Sequence, residues 1–134
     1  MKKKIFIVGS INTDLVINTP YMPQQGETLQ GSDFITARGG KGANQAVAAA
    51  RLGGEVIMCG CVGNDDFGQS AIDAFVKEGI NVENVRKVDG VPTGTAVIIV
   101  ENGDNRIILD KGANACLTKE DNGALGAMLA KENK

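Results

Sequence analysis

The sequence contains no histidine and no tryptophan, and a single tyrosine, among its 134 residues. Without an imidazole, Ser-His-Asp triads, histidine-bearing metal sites and imidazole proton shuttles are excluded together. Aromatic residues make up 4% of the chain, too few for the stacking platform on which single-stranded nucleic acids lie. Positive charge is not in excess either: 14 Lys and Arg against 16 Asp and Glu leave a net charge of −2. A nucleic-acid binder would carry a basic stripe, so nucleic acid is not expected as a partner. No apolar stretch approaches the roughly 18 residues of a membrane-spanning helix. The run Ile5 to Val8 behind Lys2-Lys3-Lys4 is too short for a secretory leader. Three cysteines without such a leader read as reduced thiols, and the expected setting is cytoplasmic, with no membrane partner. Cys59-Gly60-Cys61 lies in an apolar run at the wrong spacing for a zinc knuckle, and reads as two small buried hydrophobes.

What is present is ordinary for a globular domain: 43% hydrophobic and 22% charged residues, in a length that suits one domain. Ile5 to Val8, ended by Gly9-Ser10, reads as a buried parallel strand. Asp14 to Asn18 reads as a second strand, closed by the turn residues Thr19 to Pro23. Thr28 to Ala37 alternates weakly, as in a half-exposed strand. A glycine-rich loop, Arg38 to Gly42, then feeds an alanine-rich helix over 43–52 that stops at Gly53-Gly54. Glu55 to Val62 is another buried strand. An amphipathic helix follows over 67–78, with Phe67, Ala71, Ala74 and Phe75 on one face and Gly79 past its end. Ile80 to Val88 carries a short strand. The segments 95–100 and 106–109 flank Glu101-Asn102-Gly103-Asp104-Asn105 as a hairpin, and Thr118 caps a last helix over 119–130. The expected class is α/β, a partial Rossmann-like layered parallel sheet with a small antiparallel sheet beside it. Three parallel strands are few for such a sheet, so the segment reads as the first half of a larger unit.

Two places have the residue types for ligand chemistry. Asn12 and Asp14 follow the first strand, at the edge where open α/β sheets bind ligands. An amide and a carboxylate there suit the vicinal hydroxyls of a polyol, while spacing alone favours an Asx-turn closing the strand. The second place is Gly39-Gly40-Lys41-Gly42-Ala43-Asn44. Its glycines permit close approach, its helix N-terminus offers N–H groups, and Lys41 and Asn44 add a charge and an amide. It is not a Walker loop, because Gly42 stands where Ser or Thr belongs, and it is not the dinucleotide fingerprint. An anion or a hydroxyl-rich ligand competes here with a plain helix start. Asp65-Asp66 reads as a helix cap rather than an acidic pair, and Gly112-Ala113-Asn114 as a turn.

These segments taken in order, Gly9 to Asp14, Gly26-Glu27-Thr28, Gly39 to Gly53, Val62 to Gly68, Pro92 to Ala96 and Gly112 to Asn114, resemble the N-terminal half of the ribokinase-like (PfkB) family of sugar kinases. That family also holds fructokinases and adenosine kinases, and the run from Gly39 to Gly53 is nearest to its ribokinase subgroup. The resemblance implies transfer of the γ-phosphoryl group of ATP to the 5-hydroxyl of D-ribose, with Mg2+ and K+. It implies sugar contacts from Asn12, Asp14, Gly39, Gly40, Lys41 and Asn44, and apolar contacts from Ala96 and Leu109. It further implies a lid built of strands near 13–19, 28–37, 95–100 and 106–110, through which two copies pair as a homodimer. The whole of residues 1–134 then forms the N-terminal part of the domain, without its ATP-binding half. The family signature Asp-Thr-x-Gly-Ala-Gly-Asp, which carries the catalytic base, has no match, nor does Asn-x-x-Glu. No catalytic residue, bound cofactor or metal is therefore expected in this chain, and no kinase turnover from it alone. A non-catalytic sugar-binding or lid-paired module, and a fructokinase-like preference, are the competing expectations.

Overall fold

The computed structural model describes residues 3–121. The chain runs through β1 (Lys4–Val8), β2 (Asn12–Thr19), β3 (Ser32–Gly39), α1 (Lys41–Arg51), β4 (Glu55–Gly63), α2 (Asp66–Lys77), β5 (Asn81–Val88), β6 (Gly94–Glu101), β7 (Asp104–Asp110) and a 3-10 helix, Gly112–Cys116. The strands form two sheets, one ordered β1-β4-β5 and parallel throughout, the other ordered β3-β2-β6-β7.

The first sheet follows from its apolar runs. Strand β4 is buried from Val56 to Gly63, as a central parallel strand covered on both faces must be. Val56, Met58 and Val62 meet Ala43 and Ala46 of α1 and Ala71 and Phe75 of α2 in the main core. Ile57 and Cys59 point the other way, against Phe6 and Leu117. Cys59 and Cys61 are both buried and unpaired, the small hydrophobes the sequence suggests. Both helices stop where expected, with Gly53 and Gly79 just past their ends at φ 94° and 76°. The inward stripe of α2 is Gly68, Ala71 and Phe75, whereas Phe67 is exposed, contrary to expectation. The helix begins at Asp66, so the 3-4 spacing that ends on Phe75 falls on Gly68, one residue past Phe67.

The second sheet departs from the expectation of a wholly antiparallel one. Pairs β2–β3 and β6–β7 are antiparallel, but β2 and β6 run parallel, with Asn12 opposite Gly94 and Asp14 opposite Ala96. After β3 the chain passes through α1, β4, α2 and β5 before β6, and so re-enters the second sheet from the end at which it left. The strand expected over 28–37 runs instead from Ser32 to Gly39. Its pairing begins at Ser32 opposite Asn18, with a bulge at the left-handed Asp33, and reaches Gly39 opposite Asn12. At the other end of the sheet Asn102 and Gly103, both at positive φ, make the two-residue turn between β6 and β7.

Three joints tie the sheets together. Gly9 and Gly42 touch backbone to backbone: a β-carbon on Gly42 would stand 2.7 Å from Cα of Gly9. Asp65 caps α2 by accepting from the Gly68 N–H at 2.8 Å, and also accepts from the Thr93 N–H at 2.9 Å and its hydroxyl at 2.6 Å. Thr93 Oγ1 in turn accepts from the Gly63 N–H. Burial pushes the Asp65 carboxyl up, but these hydrogen bonds outweigh it and hold the group below its ordinary value. Asp65 is thus a structural cap, as read from the sequence. The third joint is Asn114, described with the site. Thr118 and Asp121 exchange hydrogen bonds at the start of the last helix, while the rest of the segment expected over 119–130 lies outside the described residues. Among the described residues no helix is long and apolar enough to cross a membrane.

Candidate functional site

The glycine-rich stretch is not a loop. Gly39 closes β3, α1 already begins at Lys41, and the junction between them is Gly40 alone. Gly40 has φ 97°, and a β-carbon there would stand 2.5 Å from the Ser10 carbonyl oxygen, so both conformation and space require glycine. The Ala43 N–H donates to that same Ser10 oxygen at 3.1 Å, and no side chain caps the helix. The turn after β1 and the start of α1 are therefore laced directly to each other.

Around this junction the structure gathers most of the residues singled out in the sequence. Asn12 and Asp14 stand two apart on β2 and so share one face of the sheet. Gly39 is opposite Asn12, and the Asp14 carboxylate lies over it: a β-carbon on Gly39 would stand 2.6 and 2.7 Å from the two carboxylate oxygens. Asn12, Gly39 and Asn44 line one end of a groove of ≈ 740 Å³, within the size range of small-molecule sites. The rest of that groove is mainly apolar and runs between α1 and α2 past Val47, Ala74 and Phe75 to the Arg51–Glu78 ion pair. Lys41 and Asn44 are exposed on the first turn of α1. Ala96, buried, is opposite Asp14 on β6, and Leu109 is opposite Ala96 on β7. Leu109 is 53% exposed, so the apolar end of this row is open.

Asp14, Gly40, Lys41, Ala96 and Leu109 do not line the groove itself; Ala96 and Leu109 lie on β6 and β7, on the side of β2 away from β3. Partial burial raises the Asp14 carboxyl above its ordinary value of 3.8. Among the described residues no group of three or more Cys, Asp and Glu is placed to hold a metal ion. The arrangement presents an amide, a carboxylate and a lysine around a glycine floor, which is equipment for hydrogen-bonding hydroxyl groups.

Two residues of this site escape a reading of local sequence. Asn114 accepts from the Ile11 N–H at 2.9 Å, and donates to the Ile11 carbonyl at 3.1 Å and to Asn12 Oδ1 at 2.7 Å. Gly94 lies beneath that last contact, and a β-carbon on it would collide with both Asn114 Nδ2 and Asn12 Oδ1. The only signal for Asn114 was its place in Gly112-Ala113-Asn114, which looks like a turn until the fold carries it to β2.

The model of the pfkB family of carbohydrate kinases matches residues 2–131. The chain belongs to that family. Its family relatives include the ribokinase of Schizosaccharomyces pombe, 51% identical over 117 residues, which cover 82% of this chain and 37% of that protein. The ribokinase of Haemophilus influenzae is 45% identical over 120 residues, 89% of this chain and 39% of that one. A solved ribokinase of Giardia lamblia superposes with TM-score 0.85 at 37% identity, over 98% of this chain and 40% of the other. A solved Arabidopsis thaliana ribokinase, complexed with ribose and ATP, gives TM-score 0.80 at 36% identity, over 85% and 38% of the two chains. The chain thus spans about two fifths of the length of the family members it matches.

Proposed function

We propose that this chain forms the sugar-binding part of a ribokinase-like enzyme that phosphorylates D-ribose to D-ribose 5-phosphate. The observation that carries this reading is the convergence of Asn12, Asp14 and Asn44 on the glycine junction between β3 and α1. Asp14, acceptor only when ionised, takes hydrogen bonds from sugar hydroxyls, and Asn12 and Asn44 supply amides beside it. Lys41 brings a cation to the same edge, and Gly39 and Gly40 let the sugar approach the backbone. Ala96 and Leu109 pack the carbon skeleton from the second sheet, which serves as a lid. The relatives named ribokinase, and the one solved with ribose and ATP, support the choice of sugar and of phosphoryl donor.

ATP would supply the phosphoryl group in the complete enzyme, with Mg2+ and K+. The described residues do not offer a metal cluster, and what this chain does, binding and orienting the sugar, runs through none. Phosphoryl transfer depends on charge stabilisation around the transferred group. The signature that the family resemblance assigns to that task has no match in the sequence, so this chain alone binds sugar without turnover. We place it in the cytoplasm, and as a homodimer through the second sheet, whose outer strand β7 exposes Ile107, Ile108 and Leu109.

Calorimetry with D-ribose, D-fructose and adenosine tests the substrate class, with D-ribose expected to bind and the others not. Binding of fructose in its place would move the chain to a fructokinase-like reading. A coupled assay with ribose, ATP, Mg2+ and K+ is expected to show no turnover, and ordinary kinase rates would overturn the inactivity. Sedimentation as a clean monomer would remove the dimer.

A further inference from the structure

The orientation of two amides at the site is forced by the backbone. The Ile11 N–H can only donate, so the atom of Asn114 facing it at 2.9 Å must be the oxygen. The Asn114 nitrogen is then fixed toward the Ile11 carbonyl at 3.1 Å and the Asn12 side chain at 2.7 Å. Those two contacts engage both of its N–H bonds, so the Asn12 atom meeting it must be an oxygen. Asn12 is left with its N–H2 group facing away from the bridge. This chain of assignments starts from a peptide group and spans 103 residues of sequence, which makes it a property of the fold rather than of the turn at Asn12.

We infer that Asn114 is a positioning residue that fixes the hydrogen-bond polarity of Asn12, so that the site meets a vicinal diol with amide donors from Asn12 and carboxylate acceptors from Asp14. The inference rests on the sugar-binding reading of the same site. It accounts for two features that reading does not use: the three-way bridge of Asn114, and the glycine at position 94. A diol oxygen both donates and accepts. A site with one fixed donor group and one fixed acceptor group therefore selects hydroxyl pairs by geometry, and leaves a lone carbonyl or a lone amine half-satisfied.

Side-chain amide exchange in the ligand-free chain, followed by NMR, tests the orientation directly. The Asn114 Nδ2 protons are expected to exchange about tenfold more slowly than those of Asn12, and the reverse order would overturn the inference. Asn114→Asp still accepts from Ile11 but has no proton for Asn12, which must turn and donate. The expected result is protected Asn12 amide protons and D-ribose binding weakened about tenfold or more. Gly94→Ala pushes the two side chains apart without changing any polar group, and is expected to weaken binding similarly while the backbone spectrum stays folded. Unchanged D-ribose affinity in both variants would overturn the positioning role and leave the sugar site standing. Absence of D-ribose binding by the unaltered chain, with the exchange order as expected, would overturn the sugar reading and support the bridge.

Discussion

The two sheets of this molecule are built on opposite terms. In the first, β4 is flanked by β1 and β5 and covered by α1 and α2, and Val56, Met58 and Val62 are at most 1% exposed. In the second, no helix among the described residues covers the outer strands: every residue of β7 and all of β3 but Gly39 is exposed. Stability therefore resides in the first sheet, and the candidate site residues Asn12 and Asp14 of β2 lie on the second, held by the three joints. A division of this kind leaves the exposed sheet free to shift without unfolding the layer that supports it.

The largest effect that would sharpen this contrast is in the core. Met58→Ala removes a side chain with no exposure and leaves a cavity between β4 and the helices. A loss of about 2–5 kcal/mol in urea unfolding is expected. Ile108→Ala, at 68% exposure on β7, is expected to stay within about 0.5 kcal/mol of the parent. Equal losses from the two would show that both sheets belong to one cooperative core and would break the contrast.

Next in size is the joint at Asp65. Asp65→Ala removes the cap of α2 and also strands the buried Thr93 N–H and hydroxyl. About 1–3 kcal/mol is expected from the cap and the unsatisfied groups together. Hydrogen exchange should speed up in β6 as well as in α2, because Thr93 leads directly into β6. Exchange confined to α2 would mean that this joint does not couple the sheets.

Third is a change that affects binding more than folding. Gly39→Ala places a β-carbon where the Asp14 carboxylate lies. The strand remains, since Gly39 is not among the positive-φ positions, but the carboxylate must move. D-ribose affinity measured by calorimetry is expected to fall about tenfold, equivalent to about 1.4 kcal/mol, with a melting temperature close to that of the parent. A variant that melts much earlier would place Gly39 in the supporting layer instead.

The first sheet was readable because its signals are local. Apolar runs such as Ile5 to Val8 and Val56 to Val62, alanines ending at Gly53-Gly54, and a cap at Asp65 each declare an element within a few residues. The second sheet was readable as separate strands and a single hairpin, β6–β7. Nothing near Asn12 or Gly94 announces that β2 and β6 run parallel, because their pairing depends on where the intervening α/β unit returns the chain. The glycines misled for a similar reason: Arg38 to Gly42 looks like a loop, but Gly39 is required by the Asp14 side chain, Gly40 by its positive φ and the Ser10 carbonyl, and Gly42 by Gly9. Asn12, Asp14 and Asn44 were legible as candidates, and the family resemblance supplied their roles. Asn114 was not, since its partners lie about a hundred residues upstream.

The smallest expected effect concerns the face of the first sheet turned away from α1 and α2. There Asp121 pairs with Arg86 at 3.0 Å and accepts from the Thr118 N–H at 2.8 Å, while Arg86 also donates to the Cys116 carbonyl. The Arg86 contact first, and then Thr118, lower the Asp121 carboxyl from 3.8 to about 2 against the opposing effect of burial. A carboxyl whose folded value is depressed stabilises the fold above its unfolded value, and that contribution fades as pH falls from near 3.8 through about 2. Arg86 is 43% exposed in its side chain, so solvent screens the pair and the loss is expected to be about 1 kcal/mol at most. Comparing the parent with Asp121→Asn across that window isolates the contribution: the two stability curves should converge as the pH drops, and salt should narrow their gap. Curves that stay parallel from neutral pH to pH 2 would mean that this clamp does not hold the 3-10 helix against the sheet, and that the packing of Leu117 on Ile57 and Cys59 and the hydrogen bonds of Asn114 do so without it.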